Sequence, residues 1–286
     1  MSFASEVGLT AARELRRSVA SARGVALLLL FLLGGAGASL LYIKVSNYNL
    51  LGMVTDMPLT PEQTAEVMRE AKLGTLRKLY PEATAVALAA CPSVLLFLFK
   101  GTQWVMPLLS LLLGFDIVAG DVQHRTMRYM VARAGRPAIV LGKALGLWAL
   151  LAVVSLLLHT TIWMVAVFNH DGTFAQVYGW GLRWWALSLG GAACATGLTT
   201  LVSSLFRTPP LALVSGVAIQ VGLFFLGLIV GLMTEGDAVT SWLPGKVDTM
   251  LMSHDPVIVL GAVARLLGWT AIFTGGAVAI VRARDV

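Results

Sequence analysis

Cysteine, histidine and charge are all scarce in this sequence. The two cysteines, Cys91 and Cys194, lie far apart inside apolar stretches. That excludes a disulfide framework and a zinc site built on paired thiolates, and both read as buried small hydrophobes. The four histidines, His124, His159, His170 and His254, share no helical spacing. Neither a Gly-x-Ser-x-Gly elbow nor a His-Glu-x-x-His pair occurs. Gly135 to Lys143 faintly resembles a phosphate-binding loop, but six residues separate Gly135 from Gly142, and Ala144 stands where Ser or Thr must contact magnesium. The chain is therefore expected to be non-catalytic, with no metal or cofactor of its own.

Only 13% of the residues are charged and 57% are hydrophobic, against roughly a quarter charged in soluble domains. This excludes a water-soluble globule and points to an all-α integral membrane protein. A net charge of +6 would suit nucleic acid. The basic residues, however, cluster at the ends of apolar runs, where a bilayer orients them, so no nucleic-acid partner is expected.

Taken in order, residues 1–24 carry Arg13, Arg16, Arg17 and Arg23, with Phe3, Val7, Ala11, Leu15 and Val19 at helical spacing, which predicts an interfacial helix. Residues 25–45 form the first span, long enough for roughly 30 Å of hydrocarbon. Ala36-Gly37-Ala38 imitates a leader cleavage site, but the apolar run continues beyond it, so an uncleaved anchor is expected. Residues 46–103 form a helical extracytoplasmic segment, acidic early and basic late between Pro61 and Tyr80. Its part 83–99, with Pro92 in the middle, is expected to dip into the membrane, ending at Lys100-Gly101-Thr102-Gln103. The second span is then 104–119, and the later spans are 139–168, 184–205, 211–233 and 257–281. With six spans both termini face the cytoplasm, and most Lys and Arg outside the spans fall on that side. At depth the strongly polar groups are His159, Gln220 and Arg265, of which His159 and Arg265 are candidates for a transport path.

Between spans two and three lies a basic segment, 120–138. Asp121 is a plausible N-cap and Gly135 with Pro137 a plausible stop, so Val122 to Ala134 reads as one short helix. Arg125, Arg128 and Arg133 make it cationic, and Met127, Met130 and Val131 give it an apolar strip. Small residues recur at spacing four, as at Gly142 and Gly146, which suits intramolecular packing or a dimer seam.

Residue types and spacing here resemble the permease subunits of type-2 ABC exporters, in particular the branch that includes sodium-extrusion and nitrous-oxide-reductase-maturation permeases. In that family the second span ends with an Asp, followed by Gly-Glu, Gly-Thr, a short helix, Pro-x-x-Arg and a Leu-Gly-Lys that opens the third span. Asp116, Gly120, Thr126, Arg136, Leu141, Gly142 and Lys143 occupy those places. The chain departs from the pattern in three places: Asp121 for Glu, Arg125 for Gly and Arg133 for Pro. The resemblance implies a cytoplasmic coupling helix whose Asp121, His124, Arg125, Thr126, Arg128 and Arg136 meet an ABC ATPase subunit. It also implies ATP and magnesium on that partner, a second permease copy or homologue, and a place in the bacterial inner membrane. Surrounding lipid and an extracytoplasmic protein are further candidate partners. Two other readings stay open from the residues alone: a non-transport scaffold, assembly protein or embedded enzyme that uses the cationic helix for anionic lipid, and a secondary transporter.

Overall fold

A computed structural model describes residues 2–54, 61–169, 172–233 and 247–284. Among them every regular element is a helix, and six helices are long and apolar enough to cross a membrane. In chain order these are α1 (Phe3–Ala20), α2 (Ala22–Val54), α3 (Pro61–Arg77), α4 (Glu82–Ala89), α5 (Ser93–Gly114), α6 (Ala119–Gln123), α7 (Met127–Val131), α8 (Arg136–Phe168), α9 (Phe174–Leu205), α10 (Pro209–Met233), α11 (Val247–Leu251) and α12 (Pro256–Ala283). The spans are α2, α5, α8, α9, α10 and α12, with α9 at the centre of the bundle against α5, α8 and α12.

Local chemistry sets the ends. Ser2 caps α1 by accepting from the Ser5 amide, and Glu6 lies in the positive first turn. Thr173 and Gln176 form a reciprocal capping box that starts α9 ten residues before Trp184. Pro137, expected to stop a helix, instead sits in the first turn of α8, where its missing N–H is no loss.

The expected membrane-dipping stretch 83–99 is not one element. The chain turns at Cys91 and Pro92, and a single helix then runs from Ser93 through Lys100-Gly101-Thr102-Gln103 to Gly114. The polar tetrad does not break α5, since Lys, Thr and Gln are all tolerated within a helix; Lys100 Nζ lies 2.6 Å from Asp248 on α11 and 6.0 Å from the Tyr80 ring. Nearby, Arg183 of α9 lies beside the Trp180 and Trp184 rings and donates to the Ser253 carbonyl, while Trp184 donates to the Cys91 sulfur. Thus α4 and α11 are pinned across one end of the bundle, the far end.

Within the spans several polar groups find helix partners, whereas Thr102 Oγ1, Gln103 Nε2, His159 Nε2 and Trp163 Nε1 are buried without one among the described residues. Ser110 and Thr199 share a hydrogen bond between α5 and α9, and Gln220 of α10 donates to the Pro107 carbonyl of α5. His159 is fully buried, its Nδ1 2.7 Å from the Ser155 carbonyl of its own helix. Arg265 reaches from α12 to the Met250 sulfur of α11.

At the other end, which carries α6 and α7 and is here termed the loop end, α1 lies along the first turns of α8. Gly142 and Gly146 make this approach possible. A Cβ at Gly142 would lie 2.5 Å from Thr10 Cβ and 2.7 Å from the Val7 carbonyl oxygen, and one at Gly146 would lie 2.7 Å from the Ala11 carbonyl oxygen. Backbone cannot yield as a flexible side-chain tip can. The small residues at spacing four therefore form an intramolecular seat for α1. We expect Gly142→Val to force α1 off α8, at a cost of about 1–3 kcal/mol. A cysteine introduced at Thr10 should then react faster with a maleimide in the Gly142→Val background than in the parent.

Candidate functional site

Two adjacent residues of α8 organise the loop end: Gly142 admits α1, and Lys143, on the next position, reaches two carboxylates. Lys143 is 3% exposed; its Nζ lies 2.6 Å from Asp121 Oδ2 and 3.1 Å from Glu14 Oε2. Glu14 belongs to α1 and Asp121 to α6, so one buried cation joins three elements. Burying a charge is costly unless it is paired, and here the two carboxylates share the one ammonium, with Arg17 3.9 Å from Glu14 and 4.0 Å from Asp121.

Around this core the pairing extends outward. Arg17 lies 3.8 Å from Asp116 and 3.9 Å from Glu14, and Arg23, at the start of α2, lies 2.8 Å from Asp116. Arg23 also covers the Phe115 ring and donates to the Leu113 carbonyl. The end of α5 is thereby held by the start of α2, 93 residues away in sequence. Asp121 is not an N-cap. It lies inside α6, and its other oxygen accepts from the Thr126 hydroxyl at 2.8 Å. The cap is supplied by Ser203 of α9, whose hydroxyl accepts from the Val118 and Ala119 amides and donates to the Phe115 carbonyl.

Nor is Val122 to Ala134 one helix. It divides into α6 and α7 at His124-Arg125-Thr126, where Arg125 adopts φ 58°. Only glycine takes this left-handed conformation without steric cost. The Gly expected from the family pattern at this place therefore has a physical reason, and Arg125 adopts the same backbone under strain. Past the turn, Met127 is fully buried, whereas His124, Arg125, Thr126, Arg128, Tyr129 and Arg133 are exposed. A Cβ at Gly120 would lie 3.4 Å from the Asp116 Cβ, an ordinary van der Waals contact.

Arg136 turns away from this exposed face. Its Nη1 donates to the carbonyls of Arg282 at 2.7 Å and Arg284 at 2.9 Å, at the end of α12. Arg284 in turn donates to the Leu205 and Phe206 carbonyls at the end of α9. Burial and, secondarily, neighbouring Arg207 lower the Arg284 pKa from its ordinary value. Both arginines satisfy helix C-terminal carbonyls that would otherwise lack donors.

The site thus gathers Asp116, Gly120, Asp121, Thr126, Gly142 and Lys143 with the α1 residues Glu14 and Arg17. His159 and Arg265 lie elsewhere in the bundle. Glu14 is not legible as a site residue from its neighbours: among the arginines of an interfacial helix it reads as a solvated acid, although it falls in register with Val7 and Ala11 on the face that meets α8. Ser203 was equally silent, a hydroxyl within an apolar run.

Replacing Lys143 by Met should leave Glu14 and Asp121 buried without a counter-ion and destabilise the fold by roughly 3–5 kcal/mol, read as a large drop in thermal midpoint of the detergent-solubilised chain. Arg125→Gly should raise stability by up to about 1 kcal/mol by removing the left-handed strain; the same midpoint checks it, and Arg125→Val should lower it.

Compared with known proteins, residues 10–244 match the family model described as ABC-2 family transporter protein. No curated protein matches the chain. The matched region runs from α1 to the stretch just before α11 and includes every residue of the Lys143 network. With six apolar spans and a match over most of its length, the chain belongs to the ABC-2 family of transporter proteins, as a membrane-embedded permease component.

Proposed function

We propose that this chain is the transmembrane subunit of an ATP-driven exporter in a bacterial cytoplasmic membrane, working as a dimer with a second copy or a homologue. ATP and magnesium are held by separate nucleotide-binding subunits. The motif between Asp116 and Lys143 favours the sodium-extrusion and nitrous-oxide-reductase-maturation branch. In this reading both termini, α1 and the α6–α7 loop face the cytoplasm, while α3, α4 and α11 lie outside.

One observation carries the reading: an exposed cationic and aromatic face stands on a rigid footing. Arg128, Arg133 and Tyr129, the last 77% exposed, project from the loop. The loop itself is held from beneath by Asp121, Thr126, Met127 and Lys143. A partner that grips this face can transmit force only if the loop does not yield, and the buried pairing supplies that stiffness. Closure of the ATPase pair would push on the loop, and the Lys143 network would pass the displacement to α1, α5 and α8 together.

The experiment is copurification of the nucleotide-binding subunit and measurement of its stimulated hydrolysis. Arg128→Glu with Arg133→Glu should reduce recovery of the ATPase more than tenfold by opposing an acidic partner surface, with membrane insertion intact. Undiminished binding and hydrolysis would remove the loop from the coupling contact. In the same preparation, a cysteine at Gln123 should label from the cytoplasmic side and one at Gln63 from the opposite side; labelling of both from one side would overturn the topology.

A further inference from the structure

We propose that the cavity at the loop end binds the phosphate of an anionic phospholipid headgroup. The cavity has a volume of about 500 Å³ and opens between α1, the ends of α2 and α5, the α6–α7 loop and the start of α10. Its charges do not all cancel within the protein. Three carboxylates line it: Asp121 and Glu14 share the single charge of Lys143, and Asp116 pairs with Arg23, so that with Arg17 and Arg13 the lining carries one positive charge in excess. Arg17 lies 3.8–4.0 Å from those same carboxylates and balances their remaining charge, but does not bond them closely. That exceeds the roughly 2.7–2.9 Å of a charge-assisted hydrogen bond, and the guanidinium makes no hydrogen bond among the described residues. Arg13 lines the same space and takes part in no ion pair among the described residues.

Two guanidinium groups with unfilled donors therefore face one cavity, and a guanidinium fork matches the paired oxygens of a phosphate. The remaining wall suits lipid. Phe115, Met130 and Pro209 supply apolar surface. From Pro209 the exposed side chains of α10 continue along the span through Leu211 and Val214, and those of α2 through Leu29, Leu30 and Leu33. A headgroup can enter the cavity while its acyl chains stay beside these spans, so the leaflet itself supplies the ligand. A phosphate dissolved in water would have no use for that apolar path. The proposal requires the membrane fold but not the ATPase partner, so its test is independent of the coupling reading.

The test is native mass spectrometry of the full chain released from nanodiscs of phosphatidylcholine containing phosphatidylglycerol. The parent should retain phosphatidylglycerol in preference to phosphatidylcholine. Arg13→Gln and Arg17→Gln should each lower that retention roughly fivefold, the increment expected for one basic side chain at an anionic surface. Lys78→Gln, which removes the same charge at the far end, should leave it unchanged. Arg13→Gln breaks no ion pair, so it decides the matter even where the Arg17 variant fails to fold, as judged by its melting curve. Equal retention of both lipids by the parent, or unchanged retention in a folded Arg13→Gln variant, would overturn the proposal. Displacement of phosphatidylglycerol by millimolar inorganic phosphate would also overturn it, because the ligand would then be a soluble anion.

Discussion

The loop end depends on one buried cation. An ammonium group at Lys143 is tolerable in so enclosed a place only because two carboxylates from separate elements converge on it. Removal of the lysine would leave the two buried carboxylates facing each other without the ammonium between them. The arrangement is therefore selective as well as stabilising: α1 and α6 can dock on α8 in only one register that satisfies all three charges. Gly142, immediately before Lys143, lets α1 come close enough for Glu14 to reach it. The Gly-Lys pair thus combines close approach and charge within a single turn of helix.

Much of the architecture could be read from sequence, because a span announces itself through length and hydropathy, and the basic segment between spans two and three through composition. What escaped was set by partners distant in the chain. Lys100 to Gln103 reads as a break because Lys-Gly-Thr-Gln interrupts an apolar run; the helix continues through it, and the lysine finds Asp248, 148 residues away. Asp121 had every local mark of a cap, yet a lysine on the next span claims its carboxylate while a serine from α9 takes the capping role. The division of Val122 to Ala134 was hidden for the opposite reason. Where glycine would have signalled a left-handed turn, the chain carries Arg125, and the backbone turns regardless. Arg136 was expected to face a partner by its place in the motif, but its geometry serves the carbonyls of α12.

The departures from the family pattern have compatible physical accounts. Aspartate at 121 is one methylene shorter than glutamate, and the long stem of Lys143 makes up the reach, giving a contact of 2.6 Å. Arginine at 125 keeps the turn at the expense of backbone strain while adding charge to an already cationic surface. Arg133 in place of proline leaves the connection into α8 to Gly135 and Pro137, whose restricted backbone starts that helix without help from a side-chain cap.

The arginine contacts at the helix ends have a mechanical consequence. Arg136 joins the root of α8 to the last carbonyls of α12, and Arg284 joins that same tail to the last carbonyls of α9. Guanidinium groups keep their charge at any pH a protein tolerates, so proton uptake or loss cannot slacken these ties. Three spans consequently share one footing, and a tug on the chain at Gly135 arrives at all of them with no soft joint between.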